Sequence, residues 1–167
     1  CTVDDRVAVQ VEKSPEALAL FLACLRAGLV YLPLNTAYRS SELTHFLSDA
    51  RPRVLVCAQE ARESMAPFAR AIGVSEVEGL SREGGGSFAT RATRLPEAFD
   101  PIQRSGEDIA CIMYTSGTTG RSKGAMISHR AVHFCASGLA QYWGFKSSDV
   151  LLHALPMFHA HGLFISS

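Results

Sequence analysis

The chain has 167 residues, 47% of them hydrophobic and 19% charged, a mix that folds as a globular body and excludes a disordered or low-complexity segment. Lys and Arg together number 16, as do Asp and Glu, so no overall field draws the chain to nucleic acid or to an anionic membrane surface. Its apolar runs fall short of the roughly eighteen residues that a membrane span needs, and the opening CTVDDRVAV lacks the basic-then-apolar order of a secretory signal.

In chain order, residues 7–11 form a short β-rich run. SPEALALFLACLRAG follows as a helix, with Ser14 as N-cap, Pro15 in the first helical position and Gly28 as the stop signal. LVYLPLN reads as a strand, SSELTHFLSDA as a helix capped by Ser40 or Ser41, residues 53–58 as a strand and residues 60–72 as a further helix. Residues 74–108 are polar, rich in Gly and Arg, and carry Pro96 and Pro101, which predicts a surface excursion. IACIMYTS is then a buried strand, GAMISH an extended segment, residues 130–142 a helix and DVLLHALP another strand. Such alternation predicts an α/β fold, mainly parallel sheets flanked by helices.

The helix over residues 15–27 is apolar almost all the way round, with Glu16 and Arg26 breaking the run, so it asks for protein on several sides. Together with the apolar close HGLFISS, this leads to the expectation that the chain is a piece of a longer one. The cysteines at 1, 24, 57, 111 and 135 show no paired or zinc-type spacing and are expected as small hydrophobes in a reducing compartment, the cytosol by default. HRAVH sets His129 and His133 at zinc-protease spacing, but Arg130 stands where the motif needs Glu. His153, His159 and His161 have no acidic or Cys partner nearby, and no metal site is expected.

The stretch most informative about chemistry is YTSGTTGRSKGAM, residues 114–126. It leaves a buried strand and sets Gly117, Gly120 and Gly124 where a backbone turns tightly or approaches a ligand. Convergent N–H groups, the hydroxyls of Ser116, Thr118 and Thr119, and the mobile charge of Lys123 suit phosphate oxygens. A Walker A loop is excluded: Ser122 stands where the second Gly belongs, and Gly124 where Ser or Thr must hold magnesium. The dinucleotide pattern fails as well, because Thr118 and Thr119 separate Gly117 from Gly120.

YTSGTTGRSKGAMISH closely resembles the phosphate-binding signature of the adenylate-forming superfamily of acyl-CoA synthetases, luciferases and peptide-synthetase adenylation domains. LPMFHAHG (residues 155–162) is similar to the family's next signature, and residues 14–35 to its early helix and strand. Within the superfamily the resemblance is to the malonyl-CoA synthetases, through Arg121-Ser122-Lys123, PLNTAY at 33–38 and the ALPMFHAHGLF segment at 154–164.

The resemblance implies part of a large N-terminal adenylation domain over residues 1–167, with the C-terminal lid domain absent. The implied reaction joins a carboxylic acid to coenzyme A with Mg·ATP, by way of an acyl-adenylate. Thr115, Ser116, Gly117, Thr118, Thr119, Gly120, Arg121, Ser122 and Lys123 are the implied pyrophosphate-binding residues. Lys123 is the implied charge neutraliser, and His159 the histidine beside the acyl group. The family's magnesium-binding Glu, ribose-binding Asp and late Lys fall downstream of residue 167, so the chain alone is expected to be inactive. Malonate or methylmalonate is the leading acid. A fatty or aryl acid, or a non-catalytic nucleotide-binding fragment, are the alternatives.

Overall fold

Runs of four to seven residues supply the strands, and each of the first three connections is a helix. The computed structural model describes residues 1–115 and 122–165. The elements are β1 (Arg6–Gln10), α1 (Pro15–Arg26), β2 (Val30–Pro33), α2 (Ser40–Ala50), β3 (Val54–Ala58), α3 (Arg62–Ala71), β4 (Glu76–Leu80), α4 (Ser87–Ala92), β5 (Ile109–Thr115), β6 (Lys123–Ser128) and α5 (His129–Trp143). A 3-10 turn (Gln59–Ala61) leads into α3, and a π-helical turn (His161–Ile165) follows α5.

The strands form one sheet in the order β4-β3-β1-β2-β5-β6. Every pairing is parallel except the last, where β6 runs antiparallel to β5. The expected mainly parallel α/β fold is thus the observed one. Each face of the sheet buries its own core. Val7, Val9, Tyr31, Val56, Cys111 and Met113 pack with Leu20, Phe21 and Cys24 of α1, while Ala8, Leu32 and Leu55 pack with Leu43, Phe46 and Leu47 of α2 and Ala69 of α3. Strands buried on both faces read as continuous apolar runs, as VYLP does.

The N-terminus of α1 is as expected: the Ser14 hydroxyl accepts from the Ala17 N–H at 3.1 Å, with Pro15 in the first turn. Its covered face is narrower than the sequence suggests, since Leu22 remains 49% exposed. At α2 the cap is Arg39 rather than Ser40 or Ser41, because the Glu42 carboxylate reaches back to accept the Arg39 N–H at 2.9 Å and so starts the helix one residue earlier. DVLLHALP is not a strand. The Lys13 amine donates to the carbonyls of His153 and Ala154, each at 2.8 Å, so a side chain takes the place of a neighbouring strand.

The expected excursion over residues 74–108 in fact contributes β4 and α4. Val77 and Leu80 enter the core, and Glu78 lies 8% exposed between β4 and α4. Its carboxylate accepts from the Ser87 hydroxyl at 2.5 Å and from the Arg91 guanidinium at 2.9 Å, with Arg62 4.0 Å away. Burial pushes the Glu78 pKa up, but the Ser87 and Arg91 hydrogen bonds and the two cations outweigh it and hold the carboxyl below its ordinary value.

Glu78→Ala is expected to cost the protein about 2–3 kcal/mol near neutral pH, from the polar groups left without their carboxylate. A depressed carboxylate pKa means that this contribution is complete above about pH 4.3, the unfolded value, and is lost as pH falls through the lower folded value. Urea titrations of both proteins from pH 7 to pH 3 should therefore show their stability gap closing at the acid end; a constant gap contradicts the assignment.

Candidate functional site

The phosphate-loop motif lies between two paired strands. β5 and β6 place Thr115 opposite Lys123, Tyr114 opposite Gly124 and Met113 opposite Ala125. Thr115 and Lys123, the first and last of the anticipated pyrophosphate-binding residues, are therefore brought together, and the exposed Lys123 opens β6. Ser122 lies half-buried beside it. Ser116, Gly117, Thr118, Thr119, Gly120 and Arg121 lie outside the described residues.

Both legs of this loop touch α2. The Tyr114 hydroxyl donates to the Asp49 carboxylate at 2.5 Å, and its ring lies 4.4 Å from that of Phe46. On the other leg, His45 Nε2 meets the Ser122 carbonyl oxygen at 3.2 Å. Burial first, and then the Asp49 carboxylate, raises the Tyr114 pKa far above the ordinary phenol value, so the hydroxyl stays a donor. Gly124 lies in β6, as the extended reading of GAMISH expects, and does not make a tight turn. A Cβ there would stand 3.0 Å from Ile112 Cγ2 and 3.4 Å from the Tyr114 ring, so the missing side chain chiefly makes room for Ile112, with the ring at ordinary contact distance beside it.

The loop leaves the carboxyl end of β5, and the other parallel strands open a crevice at the same end. α1 follows β1 onto one face of the sheet and α3 follows β3 onto the other, and β1 and β3 are neighbours. At this divergence lies a 540 Å³ cavity whose walls include Gln10, Arg39, Cys57 and Met65. The carboxyl end of the strands, at such a switch in direction, is where open α/β sheets hold ligands.

His159 comes from a separate segment. It is exposed, its ring packs on Phe158 at 4.7 Å, and its carbonyl accepts from the Leu163 N–H at 2.9 Å. The segment is coiled rather than extended and runs into the π-helical turn at His161. A 390 Å³ cavity beside the start of α1 is lined by His153 and Met157 of this region, with Lys13, Pro15, Leu18 and Leu151. His153 Nε2 meets the Gly162 carbonyl at 2.8 Å. Burial first, and then the nearby Arg104 cation, lower the pKa of His129, the first residue of α5, against the opposing Asp108 carboxylate. Among the described residues no cluster of three His, Cys, Asp or Glu side chains could hold a metal ion. No helix among them is long and apolar enough to cross a membrane.

A loop with Thr and Lys on opposed legs, set at the ligand-binding end of a parallel sheet, is the architecture of an adenylate-forming enzyme. The model of the AMP-binding enzyme family matches residues 1–166, and the chain belongs to this family. Among solved structures, ATP-bound MatB from Rhodopseudomonas palustris is 52% identical with a TM-score of 0.93, over 99% of this chain and 33% of that one. The Mus musculus protein named mitochondrial malonate–CoA ligase ACSF3 is 36% identical over 139 residues, 82% of this chain and 23% of its own length. The long-chain-fatty-acid–CoA ligase FadD13 of Mycobacterium tuberculosis is 34% identical over 162 residues, 95% of this chain and 31% of its own. The chain thus spans between about a quarter and a third of the length of these relatives.

Sequence reading took Thr115 and Lys123 as the ends of the loop and gave no part to His45 and Asp49, which contact its two legs. The available signal was their spacing of four residues, which puts them on one helical face around the buried Phe46.

Gly162 sits where an added Cβ would come 2.1 Å from the Pro156 carbonyl oxygen, a backbone atom that cannot swing aside. Gly162→Ala should therefore destabilise the protein by about 2 kcal/mol or more, as other overpacked sites do. A thermal melt indistinguishable from that of the parent would contradict this packing.

Proposed function

We propose that this chain carries the pyrophosphate-binding part of an ATP-dependent acid–thiol ligase, which in the full-length protein joins malonate or methylmalonate to coenzyme A. The observation that carries the reading is the likeness, over nearly the whole chain, to ATP-bound MatB and to a relative named for malonate. One acid carboxylate oxygen attacks the α-phosphorus of ATP. The bond from that phosphorus to the bridging oxygen breaks, and its electron pair leaves with pyrophosphate. The coenzyme A thiol then loses its proton and displaces AMP from the acyl-adenylate to form the thioester.

Negative charge builds on the departing β,γ-phosphates, so the first step rewards fixed donors and a cation more than any covalent help. Lys123 supplies that cation, and Thr115 and Ser122 stand on the two legs beside it. The sequence assigns the residues between them, Ser116 to Arg121, to the same cradle. His159 is proposed beside the acyl group. Magnesium, when bound, offsets phosphate charge. The described residues offer no ligand set for it.

A second reading, favoured by the likeness to FadD13, keeps the reaction and changes the acid to a fatty acid. Cytosol is the proposed compartment, supported by five unpaired cysteines; recovery of the protein with organelles on fractionation would overturn that part.

Acid-dependent ATP–pyrophosphate exchange by the full-length protein tests the proposal. Malonate or methylmalonate should support it well above octanoate, and the reverse order would establish the second reading. Lys123→Ala should slow the exchange about 10²-fold, near 3 kcal/mol of barrier, as loss of a single oxyanion donor does. An unchanged rate in this variant removes Lys123 from the site.

A further inference from the structure

We propose that α2 is a clamp on the phosphate loop, with His45 and Asp49 as positioning residues that hold its two legs at a fixed separation; this rests on the reading of residues 115–123 as a pyrophosphate cradle. The loop follows Tyr114 on one side and returns through Ser122 on the other. Each of these two residues bonds to the same helix, Tyr114 through Asp49 and Ser122 through His45. His45 and Asp49 are four residues apart and therefore share a face of α2.

The helix is itself immobilised. Leu43, Phe46 and Leu47 are buried in the core, and Phe46 packs against the Tyr114 ring from beneath the same pair of contacts. A carbonyl oxygen only accepts, so the contact to Ser122 requires the proton on Nε2 of His45. Backbone pairing of Thr115 with Lys123 closes the loop within the sheet, and α2 ties that closure to an element outside the two strands.

The leg separation sets where the Lys123 amine and the loop stand relative to the departing phosphates, and small misplacements of such groups cost rate steeply. Only acyl-adenylate formation involves pyrophosphate. Thiol attack on the finished adenylate does not, so the clamp acts on one half-reaction of the two.

The test uses the full-length protein with His45→Ala, His45→Gln and Tyr114→Phe. The first and last each lose one clamp bond, while Gln keeps an N–H near the position of Nε2. Malonate-dependent ATP–pyrophosphate exchange should fall about tenfold in His45→Ala and in Tyr114→Phe, the worth of one such bond. His45→Gln should recover most of the rate, and thioester formation from supplied malonyl-adenylate should stay within about twofold in all three. Loss of both half-reactions together, or of neither, overturns the clamp.

A second readout needs no turnover. Tryptic cleavage at Arg121 and Lys123 should quicken in His45→Ala and Tyr114→Phe, but not in His45→Gln, while cleavage elsewhere keeps its rate. If the parent protein shows no exchange with any acid, the ligase reading fails, and the trypsin pattern alone decides the clamp: uniform rates at those two sites overturn it.

Discussion

Backbone hydrogen bonding between β5 and β6 sets Thr115 and Lys123 opposite each other, and the chemistry proposed for the loop depends on that closure. In an otherwise parallel sheet, β6 is the strand that turns back, and this allows a short connection where a parallel neighbour would need a long crossover. The sequence between the strands is thereby held at both ends a strand's width apart. Tyr114 completes the arrangement: its ring lies across from the bare backbone of Gly124 and joins the sheet edge to α2.

Behind the loop, the sheet gains its rigidity from cores on both faces. β1 occupies the middle of the parallel set, hydrogen-bonded on both sides, with Ala8 buried against one layer and Val7 and Val9 against the other. The neighbouring β2 contributes VYLP, buried throughout. Polar ties are used at the margins, where Glu78 holds α4 against β4, and Lys13 fastens the 153–154 backbone to the start of α1.

Local rules served the sequence well where they were self-contained. Ser14 and Pro15 announced α1 because a cap needs only its own first turn, and the family could be read from motifs that each lie within a short segment. The failures share a cause, namely partners distant along the chain. Glu78 fell inside the expected surface excursion, and the residues that satisfy it, Ser87, Arg91 and Arg62, stand outside its own strand. DVLLHALP has the composition of a strand, yet its carbonyls are taken by an amine 140 residues earlier. The spacing of His45 and Asp49 places them on one helical face, but what that face meets could not be read locally, since their partners lie 77 and 65 residues away.

The strand order also has a consequence for how the molecule is assembled. β1 to β4 are complete by Leu80 and lie side by side, whereas β5 begins at Ile109 and joins at the β2 edge. As the chain leaves the ribosome, a four-stranded platform with α1, α2 and α3 can form before any of the loop has been synthesised. The helix face bearing His45 and Asp49 is then waiting when Tyr114 and Ser122 arrive. The loop would thus be laid onto a surface already shaped by α2, although Cys111, Met113, Met157 and Leu163 still have to join the core on the α1 face.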